Sequence, residues 1–343
     1  MKKNLITFLS LLVLVLLFMV FSFAKKLSID EKYLADFRNG YKVFALNLPK
    51  DIDFAGEKAP LYNFDIAESL DRELMINTYY QSQTLLMHKR ANRWFPIIEP
   101  ILIKNQIPLD FKYLALVESN LSNVVSPAGA TGYWQFMEQT GKKYNLEINE
   151  EVDERYDVEK STEAACKYLR EAYQKLGSWT LAAASYNMGI EGVARQLQNQ
   201  KQNNYYKLYL NQETARYVFR ILAIKEILMH PKSYGYHFRK KDVYEPIPTN
   251  KLSIDSGITN LSDFALNQGI NLKMIKLFNP WLRKNYLSNK TKKTYTIAIP
   301  IAEFATYENL ENSFSNGSTY HSGDSSLYYS TEGIESDTSS NNN

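Results

Sequence analysis

The residue in this chain best placed for proton chemistry is a carboxylate in the middle of an apolar helical face. Glu118 lies in Ala115-Leu116-Val117-Glu118-Ser119-Asn120. If Phe111 to Leu121 is helical, then Phe111, Leu114, Ala115, Glu118 and Leu121 share one face, at i, i+3, i+4, i+7 and i+10. The other four are apolar, so the carboxyl is expected to be buried. Burial disfavours its charged form and raises its pKa. A carboxylic acid that keeps its proton near neutral pH can serve as a general acid. A Glu in a structural hydrogen-bond network would leave the same stripe, so the stripe alone leaves both readings open.

Three further segments carry polar chemistry. A loop from Ser122 to Thr131, containing Pro127 and Gly129, leads into Gly132-Tyr133-Trp134-Gln135-Phe136-Met137. Glycine lets a backbone approach a ligand, aromatic rings pack on pyranose faces, and Gln135 can donate and accept hydrogen bonds. The same aromatic residues would equally suit a plain core. Next, Ala184-Ser185-Tyr186-Asn187-Met188-Gly189 ends a helix at a glycine. Tyr186 and Asn187 can reach into a cleft from there, and a helix C-cap would also use Asn187 and Gly189 for backbone reasons alone. Finally, Glu213-Thr214-Ala215-Arg216-Tyr217-Val218 opens a helix on which Tyr217 either hydrogen-bonds into a site or packs. None of the next acids, Glu138, Glu147 and those from Glu150 to Glu154, falls within the aromatic-Gln or Tyr-Asn element. A conventional glycosidase needs two carboxylates flanking the scissile bond.

In this order and spacing, the Glu118-Ser119 pair, the Gly132-to-Gln135 element, Tyr186-Asn187-x-Gly189 and Glu213-Thr214-x-x-Tyr217 resemble the lytic transglycosylases with a soluble-type catalytic domain. The stretch Ser126-Pro127-Ala128-Gly129-Ala130-Thr131-Gly132 is similar to that family's loop before its Gly-x-x-Gln motif. Tyr133 stands where a Leu is usual and Ser185 where an Ala is usual; neither change removes a polar catalytic group. The resemblance covers roughly residues 95 to 235 and implies a goose-lysozyme-like helical fold acting on peptidoglycan glycan strands. It implies that Glu118 is the sole acid/base. Glu118 would protonate the oxygen between N-acetylmuramic acid and N-acetylglucosamine, then take the proton of the muramoyl 6-hydroxyl as a 1,6-anhydro ring closes. Ser119 would hold the carboxylate or the muramoyl side group. Gly132, Tyr133, Gln135, Tyr186, Asn187 and Tyr217 would line or bind the sugar, with no metal or cofactor required. Two other readings stay open: a goose-type lysozyme hydrolysing the same bond, and a peptidoglycan-binding protein without catalysis.

The elements that must position these residues are mainly α. Helical pattern runs from Ser69 to about Arg90, and an apolar run, Trp94 to Ile103, follows. Helical pattern also covers Ser161 to Leu176 with Gly177 as a stop, and Trp179 to about Asn187 with Ser178 as a cap; Gly189 and Gly192 break the chain. A further helix spans Glu213 to Met229 and closes at Pro231. Beyond Pro246 and Pro248 the pattern becomes β-α-α-β: Leu252 to Ile254, Leu261 to Gln268, Leu272 to Phe278, and Thr294 to Ile299. That order resembles LysM peptidoglycan-binding domains. Leu277-Phe278-Asn279-Pro280 is similar to their late Asn, while the usual Gly-Asp-Thr start is reduced to Asp255-Ser256-Gly257. The expected division is a signal peptide or membrane anchor over 1–24, a helical extension over 25–94, the lysozyme-like catalytic domain over 95–240, the LysM-like module over 244–300 and a disordered tail over 313–343. The module is expected to fold without affecting the chemistry.

Bulk properties narrow the class. A net charge of +3 with no dense basic stripe argues against a nucleic-acid partner. Lys2 and Lys3 precede an apolar run from Leu5 to Ala24, which points to export and to membrane contact only through this segment. Cys166 is the only cysteine, so no intrachain disulfide can form, and its helical setting reads as packing. The four His and the single Cys show no metal-ligand spacing.

Overall fold

The computed structural model describes residues 43–301 continuously, with 28, 31, 32, 34, 40, 306, 309 and 310 besides. The N-terminal apolar segment over 1–24 and the tail over 313–343 lie outside the described residues. Among the described residues no helix is long and apolar enough to cross a membrane. The chain divides into two compact units, Met1–Ala45 and Leu46–Asn343. The second unit holds every strand and every helix from Phe64 onward.

A short hairpin, β1 (Asp53–Phe54) and β2 (Glu57–Lys58), opens this unit. Eight helices come after it: α1 (Phe64–Tyr79), α2 (Gln81–Lys104), α3 (Phe111–Ser119), α4 (Glu138–Lys143), α5 (Val158–Leu176), α6 (Trp179–Met188), α7 (Ile190–Gln200) and α8 (Gln212–Met229). The last element is β3 (Thr249–Ile254), α9 (Leu261–Asn267), α10 (Leu272–Phe278) and β4 (Tyr295–Pro300). β3 and β4 pair antiparallel, from Thr249 opposite Pro300 to Ile254 opposite Tyr295. The fold is therefore mainly helical with a small strand-helix-helix-strand module.

Local chemistry sets most of the helix ends. Gly177 closes α5 in the left-handed region (φ 71°), and Ser178 Oγ accepts the Leu181 amide to start α6. Asp157 caps α5 by accepting Lys160 N, so this helix begins three residues before the expected Ser161. Gly189 breaks the chain as expected (φ 81°), but Gly192 does not. It lies inside α7, where a Cβ would come within 2.6 Å of Met188 Cγ, so close packing accounts for this glycine. The hairpin was not anticipated; it is too short to carry strand periodicity.

Two apolar clusters result. The larger runs from Ile52 to Tyr236 and includes residues of α1 and α2 such as Leu70, Leu74, Phe95 and Ile98. A boundary between residues 94 and 95 would cut α2, which continues through Pro96 and Pro100 to Lys104. Residues 52–94 are thus built into the larger apolar core. The smaller cluster belongs to the module, and it takes in Val152 from the helical body. Within the module Asn279, 1% exposed, ties α10 to β4: its Nδ2 donates to Ala298 O at 2.7 Å and its Oδ1 accepts Ala298 N at 2.7 Å.

Candidate active site

α3 is anchored at both ends. At its start Asp110 accepts Ala55 N and Lys225 Nζ, each at 2.7 Å, which joins the hairpin and α8 to α3. At its end Asn120 and Leu121 turn left-handed (φ 56° and 48°), so the helix stops at Ser119 rather than running to Leu121. Arg90 holds this turn by donating to Asn120 O and Ser122 Oγ, both at 3.1 Å. Leu121 is still buried, because the turn folds it back against the core. The expected one-sided stripe is in fact a helix buried nearly all round: Lys112, Tyr113 and Leu116 are as enclosed as Phe111, Leu114 and Ala115.

Glu118 sits at the end of this buried helix and reaches the surface in part. Its carboxyl is closely packed, and burial pushes its pKa up to about 7 from 4.5, aided by the charge of Glu213. The Tyr217 hydroxyl and the charge of Arg220 act in the opposite direction. Tyr217, on α8, is 2% exposed and donates its hydroxyl to Glu118 Oε1. Burial and the neighbouring carboxylate hold that phenol protonated, so it remains the donor.

The four sequence segments meet in a closed ring of hydrogen bonds. Ser119 Oγ donates to Tyr133 O at 2.7 Å, joining the first to the second. Tyr186 OH donates to Trp134 O at 2.8 Å, joining the second to the third. Thr214 Oγ1 donates to Asn187 Oδ1 at 2.7 Å, joining the third to the fourth. Tyr217 on Glu118 closes the ring. This arrangement fixes the rim around one carboxyl that stands partly open to solvent.

Several side chains occupy places other than those expected. Ser119 is buried and its hydroxyl is engaged with backbone carbonyls, so it bolts the wall instead of holding Glu118 or a sugar group. Tyr133, Trp134 and Phe136 are 4%, 0% and 3% exposed; they are core, and none presents a face to a pyranose. Tyr133 packs on Trp94 with centroids 4.9 Å apart, and Trp134 Nε1 donates to Thr162 Oγ1 at 2.8 Å. Gly132 (φ 82°) lets the backbone approach protein, not ligand: a Cβ there would lie 1.9 Å from Arg155 O. Gln135, also left-handed (φ 49°), donates its amide to Val124 O and Gly132 O, at 3.0 and 2.8 Å. Asn187 is exposed at the rim.

Sequence reasoning missed three contributors. Glu213 lies inside the fourth segment yet was not counted among the nearby acids; it is 57% exposed and its Oε1 pairs with Arg220 at 3.2 Å. Arg220 follows Tyr217 by three residues, and that helical spacing was a usable signal. Glu73 on α1, fully buried, accepts Arg216 Nε at 2.7 Å and lies 3.9 Å from Arg220. Nothing in the sequence links it to α8, 143 residues away.

Tyr217→Phe tests the acid's environment. The phenol stabilises the charged carboxylate, so its loss raises the Glu118 pKa further. A hydrogen bond to a charged group contributes about 1.5–3 kcal/mol, so the alkaline limb of the pH–rate profile is expected to move up by about one pH unit. A limb that stays in place would mean that Tyr217 does not bond to the working acid.

Comparison with known proteins gives this fold and rim a family context. Residues 96–209 match the family described as the transglycosylase SLT domain, and residues 250–303 match the soluble lytic transglycosylase C-terminal LysM-like domain. The chain thus carries an SLT domain followed by a LysM-like domain. It is similar to membrane-bound lytic murein transglycosylase D of Escherichia coli (strain K12), 29% identical over 231 residues, 66% of this chain and 50% of the relative. The protein of the same name in Escherichia coli O6:H1 (strain CFT073) matches to the same extent. The chain spans about half the length of these curated relatives. Thr214 and Tyr217 lie beyond the end of the SLT match, so the closing bond of the ring comes from outside it.

Proposed function

We propose that the protein is a peptidoglycan lytic transglycosylase, which cleaves the β-1,4 bond between N-acetylmuramic acid and N-acetylglucosamine without water. The observation that carries this reading is Glu118: a partly open carboxyl, raised to about pKa 7 and held by Tyr217 within an SLT domain. In the first step protonated Glu118 gives its proton to the glycosidic oxygen as that bond breaks. The resulting carboxylate then takes the proton of the muramoyl 6-hydroxyl while that oxygen bonds to C1, and Glu118 is protonated again. One group performs both transfers, and a pKa near the working pH suits a group that must be acid and then base. The other carboxylate that bears on it, Glu213, is exposed and paired with Arg220, which supports an internal nucleophile over a second protein carboxylate. In this reading Gln135 and Asn187 place the sugar from the rim.

Muropeptides released from purified sacculi provide the test. Products should end in 1,6-anhydro-muramic acid, lighter by one water than reducing-end products, because ring closure replaces hydrolysis. Release of reducing-end products alone would favour the lysozyme reading. The LysM-like module supports glycan contact; a groove of about 320 Å³ lies where β3 meets α9, lined by Ser256, Thr259, Asn260 and Asp263 among others. The substrate class and the N-terminal Lys2-Lys3 and apolar run support a place in the cell envelope. A C-terminally tagged chain should fractionate there, and a mainly cytoplasmic pool would refute it.

A further inference from the structure

The C-terminal module is seated on one segment of the helical body, residues 147–159. Val152, 1% exposed, forms part of the module's apolar cluster together with Trp281 and Leu282. Backbone bonds cross on either side: Asp153 N donates to Trp281 O at 2.9 Å, and Arg283 N to Glu151 O at 2.8 Å. Glu151 accepts Ser288 N and Oγ at 2.7 and 2.8 Å, and Tyr295 OH donates to Glu147 at 3.0 Å. Lys293 bridges Glu147 and Glu154.

The other side of this segment holds the active-site wall. Arg155, buried at 8% exposure, is paired with Asp153 through Nε (2.9 Å) and Nη2 (2.7 Å). Its Nη1 donates to Gly129 O and Phe136 O, both at 3.2 Å, so one guanidinium spans the two arms of the 129–136 turn. Its carbonyl fills the space that a Cβ of Gly132 would need. Thus Asp153, whose amide bonds to the module, also orients the side chain that clamps the wall carrying Gln135.

We infer that the module is a positioning element for the catalytic cleft, acting through Asp153 and Arg155, and that its seat on Val152 sets the order of residues 129–136. A planar guanidinium with a bidentate partner fixes direction as well as distance. A displacement of about 1 Å in a positioning group can cost on the order of 10²-fold in rate. This inference rests on the proposed transglycosylase reading for its rate readout, but not for its structural one.

The test uses the full chain with two substitutions made separately. Val152→Asp places a carboxylate in the module's apolar seat while leaving the larger core untouched. Arg155→Lys keeps the charge but loses the fork. Amide hydrogen exchange is followed at Asp153 and Arg283, which report the seat, and at Thr131 and Phe136, whose amides bond to each other's carbonyls across the wall. Val152→Asp should expose all four amides, with helix content kept by circular dichroism and kcat reduced about 10–10²-fold. Arg155→Lys should expose Thr131 and Phe136 only, with a similar fall in kcat and little change in KM. The inference is overturned if Val152→Asp frees the seat amides while Thr131, Phe136 and kcat stay unchanged. It is overturned equally if kcat falls with the wall still protected, since the module then acts on glycan directly, or if all four amides stay protected. A wild type without turnover on sacculi would refute the transglycosylase reading alone, and the exchange results would still judge the seat.

Discussion

Glu118→Gln is expected to abolish turnover and leave the fold intact. Gln is nearly isosteric and its Oε1 can still accept the Tyr217 hydroxyl, so the rim keeps its closing bond. It cannot give or take the proton. General acid/base groups contribute about 10²–10⁴-fold in rate, and here one residue serves both steps, so the loss should lie at the upper end or beyond. The same variant has a stability signature. The folded-state pKa, about 7, is above the ordinary 4.5. The folded protein therefore binds this proton more tightly than the unfolded chain, and stability falls as pH rises from about 4.5 to about 7. Gln carries no such cost. The variant should match wild type in stability near pH 4.5 and exceed it above pH 7 by on the order of 1–3 kcal/mol, read as a higher Tm. Retained turnover would remove Glu118 from the mechanism; a Tm difference independent of pH would show that its carboxyl is not held in its neutral form.

Gly132→Ala is expected to be the most damaging change of a single methyl group. The φ of 82° costs an L-residue roughly 1–2 kcal/mol. The added Cβ would also lie 1.9 Å from Arg155 O and 2.7 Å from its carbonyl carbon, both backbone atoms that cannot rotate away. Forcing such an overpacked contact apart costs typically about 1–3 kcal/mol more. The combined loss, about 2–5 kcal/mol, should appear as a lower Tm. The wall must shift by about 1 Å to relieve the contact, which should reduce turnover on the order of 10²-fold. Gly129→Ala is the matched control. Its φ is 87° but a Cβ there meets nothing within 4 Å, so only the backbone cost of roughly 1–2 kcal/mol remains. Equal effects at the two glycines would mean that the approach of Arg155 is not what demands Gly132.

The distance between what was legible and what was not follows a physical division. Periodicity and caps act over a few residues, so Gly177, Ser178 and Gly189 announced their helix ends, and the alternation in 294–299 announced β4. The stripe singled out Glu118, because an acid among apolar residues is conspicuous in one dimension, and its carboxyl is indeed closely packed with a raised pKa. The roles of Ser119, Tyr133 and Trp134 were not legible. A sequence pattern does not say whether an aromatic ring faces a cleft or the core, and these three face inward. Arg155 drew no notice, since a charged residue in an acidic loop reads as solvated until its carbonyl contacts are known.

By itself, then, the sequence determined the helical body, the strand-helix-helix-strand module and the set of segments that bear chemistry, all of which depend on short-range spacing and residue type. Only the tertiary structure decided how those segments meet. The bond from Tyr217 to Glu118 joins positions 99 residues apart, and the pairing of Glu73 with Arg216 spans 143. The seat of the module likewise brings Ser288 to Glu151 across 137 residues. Such contacts arise from burying one apolar surface against another, a non-directional drive that leaves no periodic trace in the chain.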